Sequence, residues 1–311
     1  GSDKYRLGLV VQGGLMKGIV SAAPLVVLEQ LGLSKVFDAA YGNSAGAINI
    51  AYFLSGQGAL GLTIYFENLK IGRFLNPLRA KTALNLDYLI DDVMVRGKPL
   101  SAQAVLNSDT ELKIAVTRLP EVRGEFLSTR EISTPSQLLQ ALKASSALPG
   151  LYRKPIMINE VRYIDGLITN PIPIREALKD ECTHVLVLLN KFPGDKSSPP
   201  RFPHRVFKKL LTIGFPPEVF ERYLENYKRH NEALELCMEG LSRNGQHIYT
   251  ICPEPNTRTI SQYTTKTNKL ISAALDGMAR TIDAFKAYSK FDYLARVLIP
   301  VRRDPVQEGP Q

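Results

Sequence analysis

The 311 residues carry 39 basic and 30 acidic side chains, a net charge of +9, with 44% apolar and 22% charged residues; this is ordinary for a globular chain with a real core, built as one large α/β domain or two small ones. No apolar run approaches the roughly 20 residues of a membrane span, and the charged residues 1–7 are not laid out as a secretory signal. The three cysteines, Cys182, Cys237 and Cys252, have neither zinc nor redox spacing, so the expectation is a cytoplasmic protein with reduced thiols and no metal. Its excess positive charge predicts an anionic partner. Without zinc-finger spacing or an aromatic-glycine run, nucleic acid is not expected to be that partner.

Residues 5–11 (YRLGLVV) read as a buried strand running into a tight turn at Gly13 and Gly14. Residues 19–30 supply the helix that should follow, with Pro24 predicting a kink or a start near that position. A second strand over 36–41 and a second helix over 45–54 make the opening of a parallel α/β sheet. Further strands are expected at 112–117 (LKIAVT) and 184–189 (HVLVLL), with shorter ones at 125–128 and 161–164. Residues 135–145 read as a helix with Leu138, Leu139 and Leu142 on one face, and the sheet is expected to have five or six strands.

After Phe192 a Pro/Gly/Ser-rich loop over 193–200 leads into a more basic, helical texture. Two long amphipathic helices are predicted there. One carries Phe220, Tyr223, Leu224, Tyr227, Leu234, Met238 and Leu241 near one face; the other carries Leu270, Ile271, Ala274, Leu275, Met278, Ile282 and Phe285. Between loop and helices, residues 201–215 have the apolar and basic faces of an interfacial helix, with Lys208 and Lys209 on the basic one. The expected organisation is an α/β core over 5–192, a helical C-terminal region over 193–300 packed on it, and a flexible tail over 301–311.

The sharpest local signal is Gly42-Asn43-Ser44-Ala45-Gly46, placed between a strand and a helix. A nucleophile elbow needs a strand end, a sharp turn with little crowding, and small residues after it, and Gly42, Ala45, Gly46 and Ala47 meet that need. The helix N-terminus beside Ser44 favours developing negative charge. The second signal, Gly13-Gly14-Leu15-Met16-Lys17-Gly18, offers backbone N–H groups to an oxyanion or a phosphate. It lacks the Gly-x-Gly-x-x-Gly spacing of a dinucleotide site, so no cofactor is expected. The third signal is Asp165-Gly166-Leu167, followed by Asn170-Pro171, which alone is an ordinary turn.

In order and content these elements resemble the patatin-like phospholipases, in which a glycine-rich loop ending in a basic residue and glycine precedes a Gly-x-Ser-x-Gly elbow and a later Asp-Gly. The resemblance runs from about Leu7 to Asn190 and takes in Ser145-Ser146-Ala147-Leu148-Pro149-Gly150. It implies a three-layer α/β/α fold with a mostly parallel sheet, and a lipid acyl hydrolase with an acyl lipid as substrate, making at most peripheral contact with an anionic membrane surface. It further implies Ser44 as nucleophile, Asp165 as its base, Gly13, Gly14 and Leu15 as oxyanion hole, and Lys17, Gly18, Gly42, Gly46 and Gly166 as supporting motif positions. Leu15 and Leu167 depart from the family, which has small residues there. The alternative is a non-catalytic lipid-binding or regulatory protein on the same scaffold. The four histidines, His184, His204, His230 and His247, sit in no motif and are read as surface or packing residues, which argues against a serine-histidine triad.

Overall fold

The first apolar run becomes β1 (Leu7–Val11), buried along nearly its whole length. In the computed structural model, which describes residues 4–285 apart from 77–82, 200–213, 243, 256 and 258–259, β1 has parallel neighbours on both sides. A strand covered on both faces has no polar side to alternate with, which is why it reads as one apolar stretch. There follow α1 (Gly18–Gln30), β2 (Ala39–Asn43), α2 (Ala45–Leu54), α3 (Gly58–Glu67), a π-helical stretch (Tyr88–Gly97), α4 (Ala102–Leu106), β3 (Glu111–Leu119) and β4 (Arg123–Ser128). The chain continues with α5 (Pro135–Ser145), β5 (Ile156–Ile158), β6 (Val161–Asp165), α6 (Ile174–Lys179), β7 (His184–Leu188), α7 (Pro217–Leu224), α8 (Asn226–Glu239), β8 (His247–Ile251) and α9 (Thr267–Ala284).

The eight strands form one sheet in the order β5-β6-β3-β2-β1-β7-β8, with β4 on β3. β3, β2, β1, β7 and β8 run parallel, while β4 and β6 lie antiparallel to β3. Strand alternation divides the core between the two faces. Leu9 and Val11 pack with α1, α2, α3 and α9 on one side, and Val10, Tyr41, Val185 and Val187 pack with Ile174, Ala177, Ala233 and Leu234 of α6 and α8 on the other. The α/β/α class expected from the sequence is the observed one.

Several elements differ from their sequence reading. The sheet has eight strands rather than five or six. β5 is only three residues long, and β8 is an edge strand whose exposed His247 and Tyr249 flank buried Ile248. Neither presents an apolar run. Because β8 joins the sheet, the region over 193–300 is not helical alone. The second strand lies at Ala39–Asn43, further along than 36–41, and so runs directly into the elbow.

Pro24 neither starts nor ends a helix: α1 passes through it. An interior proline removes a hydrogen bond and costs about 3 kcal/mol, but here Gly277 of α9 packs directly over Val20 O and Pro24 Cδ, and nearly the whole of α1 is buried. The amphipathic run over 220–241 divides into α7 and α8 at Glu225, leaving Met238 and Leu241 exposed. The predicted interfacial helix over 201–215 and the tail over 301–311 lie outside the described residues, save Gly214 and Phe215.

Candidate active site

β2 ends at Asn43 opposite Ala115 of β3, the chain reverses at Ser44, and α2 begins at Ala45. Ser44 has φ 50° and ψ −126°, a conformation that a non-glycine residue adopts only when its surroundings hold it. Ser145 supplies that hold: the Ser44 N–H donates to Ser145 Oγ at 2.8 Å, and Ser145 Oγ donates to Ala115 O at 2.7 Å. The elbow is thereby tied to β3. Gly46 lets α2 start against the end of β1, since a Cβ there would lie 2.3 Å from Val11 O.

β4 occupies one edge of β3 from Lys113 to Arg118, so the other edge must serve two strands. β2 takes its first half, up to Asn43 opposite Ala115, and β6 takes its second half, with Asp165 opposite Val116. β2 is parallel and β6 antiparallel to β3, so their C-terminal ends meet head-on and bring Ser44 beside Asp165. Gly166 lets β6 end so close to β3, because a Cβ there would lie 2.3 Å from Ala115 O.

Asp165 is 2% exposed. Its Oδ1 accepts from the Leu167 N–H at 2.8 Å, and the Ser44 side chain lies beside its carboxyl on the same cleft. Burial pushes this carboxyl up to about 7, against the opposing pull of the Leu167 N–H and the neighbouring Ser44 hydroxyl.

The glycine-rich loop lies against the same turn. The Gly13 N–H donates to Asn43 Oδ1 at 2.9 Å, and Asn190 Nδ2 donates to Gly13 O, so Gly13 anchors the loop and its N–H is engaged. Gly14 has φ 146° and Leu15 φ 51°. Leucine therefore does adopt the left-handed backbone here, at a cost of about 1–2 kcal/mol. Among the described residues, none accepts from the amides of Gly14, Leu15 or Ala45. The Met16 N–H donates to Gln262 O at 3.3 Å. Lys17 is half-buried, which lowers its pKa against the attraction of Asp195, and Gly18 O accepts from Asn49 Nδ2 at 2.9 Å.

Two cavities meet at Leu15 and Ser44. One is a cleft of about 120 Å³ reaching Asp165, Leu148, Tyr223 and Gln262; the other is a narrow apolar slot of about 40 Å³ between α2, α3 and Leu69, Phe74, Leu84, Leu86 and Leu89. Larger open grooves lie elsewhere and do not include Ser44.

None of the three described histidines lines either cavity. His184 stacks on His247 at 4.8 Å. His230 is partly buried, its Nε2 3.0 Å from Gln12 Nε2 and its Nδ1 3.2 Å from Ser197 Oγ. The Gln12 Oε1 accepts from the Asn190 N–H, so its amide donates to His230 Nε2, and the ring's proton sits on Nδ1. Burial, with Lys191 and Lys17 nearby, pushes this histidine down to about 4. His204 lies outside the described residues.

Sequence reasoning singled out no role for Asn43, Ser145 or Asn190, the three side chains that clamp the elbow and loop. Ser145 at least lies in the stretch over 145–150 that carried the family resemblance.

Residues 9–178 match the sequence model of the patatin-like phospholipases. YjjU of Escherichia coli (strain K12), described as uncharacterized, is 26% identical over 234 residues, covering 73% of this chain and 62% of its own length. The chain therefore spans less than two thirds of that relative. The crystal structure of VipD from Legionella pneumophila aligns over 91% of this chain and 67% of that one, at 15% identity and a TM-score of 0.45. Because the family match takes in the glycine-rich loop, the Ser44 elbow and Asp165, and covers more than half of the 311 residues, the chain belongs to the patatin-like phospholipase family.

Proposed function

We propose that this protein hydrolyses carboxylic esters of acyl lipids with a Ser44–Asp165 dyad. The observation that carries the reading is that the head-on strand ends of β2 and β6 bring Ser44 and the buried Asp165 together on one cleft, where burial raises the carboxyl to about 7. A carboxylate near its usual 3.8 is a poor base for a serine hydroxyl. One raised to about 7 is a stronger base, yet still about half ionised at neutral pH.

In the reaction, Ser44 Oγ attacks the ester carbonyl carbon as its proton passes to Asp165. The amides of Gly14 and Leu15, with that of Ala45, face the developing oxyanion, and the start of α2 adds its dipole; Gly13 holds the loop. Asp165 returns the proton to the departing alcohol, leaving an acyl-enzyme. Water then adds to the acyl carbon, gives its proton to Asp165, and the fatty acid leaves as Ser44 recovers its hydrogen. No histidine, cofactor or metal takes part in this scheme.

The net charge of +9 supports peripheral docking on anionic lipid, with the basic segment over 201–215 as the contact. No described helix is long and apolar enough to cross a membrane. A fluorophosphonate probe tests the dyad: covalent labelling at Ser44, lost in Ser44→Ala and Asp165→Asn, is the expected result. A wild-type protein that takes no label and cleaves no ester would instead fit a lipid-binding role.

A further inference from the structure

The apolar slot beside Ser44 has walls of an unusual kind for a lipid site. Ile64, Phe74, Leu84, Leu86 and Leu89 line it, each 1–5% exposed, and all belong to the main hydrophobic core. The outer wall is pinned through its backbone: Leu75 bridges to both Ile71 and Leu84, the Asn85 N–H donates to Phe74 O at 2.8 Å, and the Leu84 N–H donates to Leu151 O at 3.0 Å. On the inner side Tyr65 OH donates to Asn49 Oδ1 at 3.0 Å, and Asn49 in turn donates to Gly18 O. These groups are satisfied and present no polar partner to a ligand.

The slot therefore takes an apolar group, and among the described residues its walls are core side chains that a longer group must displace. Its volume is about 40 Å³. One water needs about 10–15 Å³ on the same measure, so the slot accepts about three water-sized groups, or a short alkyl stub. The cleft on the other side of Ser44, wider and reaching Asp165, Tyr223 and Gln262, is left for the alcohol, which must be protonated from Asp165 as it departs.

Building on the dyad mechanism, we propose that the slot is the acyl site and restricts the enzyme to esters of short acyl groups, of about four to six carbons, with Leu86 and Phe74 as the residues that set the limit. Longer chains must overpack a close-packed core.

The test is a series of p-nitrophenyl esters from butyrate to palmitate in one detergent, with wild type, Leu86→Ala, the smaller change Leu86→Val, Phe74→Leu and Ser44→Ala. Wild-type kcat/KM should peak at butyrate or hexanoate and fall by about tenfold or more at palmitate. In any of the wall variants that melts cooperatively, the octanoate-to-butyrate ratio should rise, by about tenfold for Leu86→Ala. A wild-type optimum at dodecanoate or beyond that disappears in Ser44→Ala would leave the dyad standing and overturn the acyl-site assignment. A length profile unmoved in all folded wall variants would overturn that assignment equally. Absence of hydrolysis across the whole series would refute the dyad reading and this inference together.

Discussion

Replacing Asp165 by asparagine should abolish hydrolysis while making the protein more stable at alkaline pH. Burial raises the Asp165 carboxyl from 3.8 to about 7, so its ionised form is disfavoured in the folded state relative to the unfolded one. Below pH 3.8 the group is protonated in both states and its burial carries no ionic penalty. Between there and about 7 the folded chain binds more protons than the unfolded chain, and stability falls as pH rises. Above about 7 both states are ionised and the loss is complete, about 4 kcal/mol at about 1.4 kcal/mol per tenfold difference in proton affinity. Asparagine keeps a carbonyl oxygen to accept from the Leu167 N–H and an amide to face Ser44, but cannot ionise. Urea melts of wild type and Asp165→Asn between pH 4.5 and 8.5 should therefore diverge as pH rises, the variant gaining up to about 4 kcal/mol at the alkaline end. In parallel, wild-type kcat/KM on a soluble ester should rise through an apparent pKa near 7, as the carboxylate forms. Parallel stability curves, or an activity profile flat from pH 5 to 8, would refute a buried, proton-holding Asp165 as the base.

Ser44→Ala combined with Asp165→Asn should be no slower than either single variant, each losing about 10⁴-fold or more, because residues acting as one unit are not additive; multiplied losses in single-turnover assays would separate the two roles. Ser145→Ala leaves the buried Ser44 N–H and Ala115 O without their bridge, and should lower stability by about 2 kcal/mol or more and turnover by about tenfold or more through the displaced elbow; unchanged kcat would contradict that support. Each histidine changed singly to glutamine should keep hydrolysis within about tenfold of wild type, His230→Gln included, and a collapse at any of them in the same ester assay would point to a histidine base. Lys208→Glu together with Lys209→Glu should weaken binding to anionic vesicles, by about 1 kcal/mol per charge, while sparing a soluble ester; unchanged sedimentation with vesicles would remove this segment from the docking surface.

The buried parallel strands and the elbow could be read from sequence because each is specified locally, β1 and β7 by unbroken apolar runs and the Ser44 turn by small residues at fixed spacing. β8 could not, since an edge strand with one solvated face alternates polar and apolar side chains over only five residues. The helix start suggested near Pro24 is absent for a related reason: the proline's local cost is met by tertiary packing against Gly277, which no window around the proline contains. At the candidate site, Ser44 and Asp165, singled out from the sequence, lie on one cleft, but the side chains that anchor the elbow and loop were not legible. Ser145 and Asn190 reach the elbow and loop from 101 and 177 residues away along the chain, and Gly13, outwardly one of three equivalent donors, is distinguished only by the Asn43 side chain that occupies its N–H.

The head-on meeting of β2 and β6 makes β3 a ruler for the proposed reaction. Ser44 and Asp165 are separated by more than a hundred residues of sequence, yet their spacing is measured out by one step along a neighbouring strand, from Ala115 to Val116. A single residue inserted at that step would slide one strand end by about 3.3 Å and turn the following side chains to the opposite face. Mutations that loosen this junction should thus silence a Ser44–Asp165 dyad before they unfold the protein, so that turnover becomes a gauge of sheet register more sensitive than any melting curve.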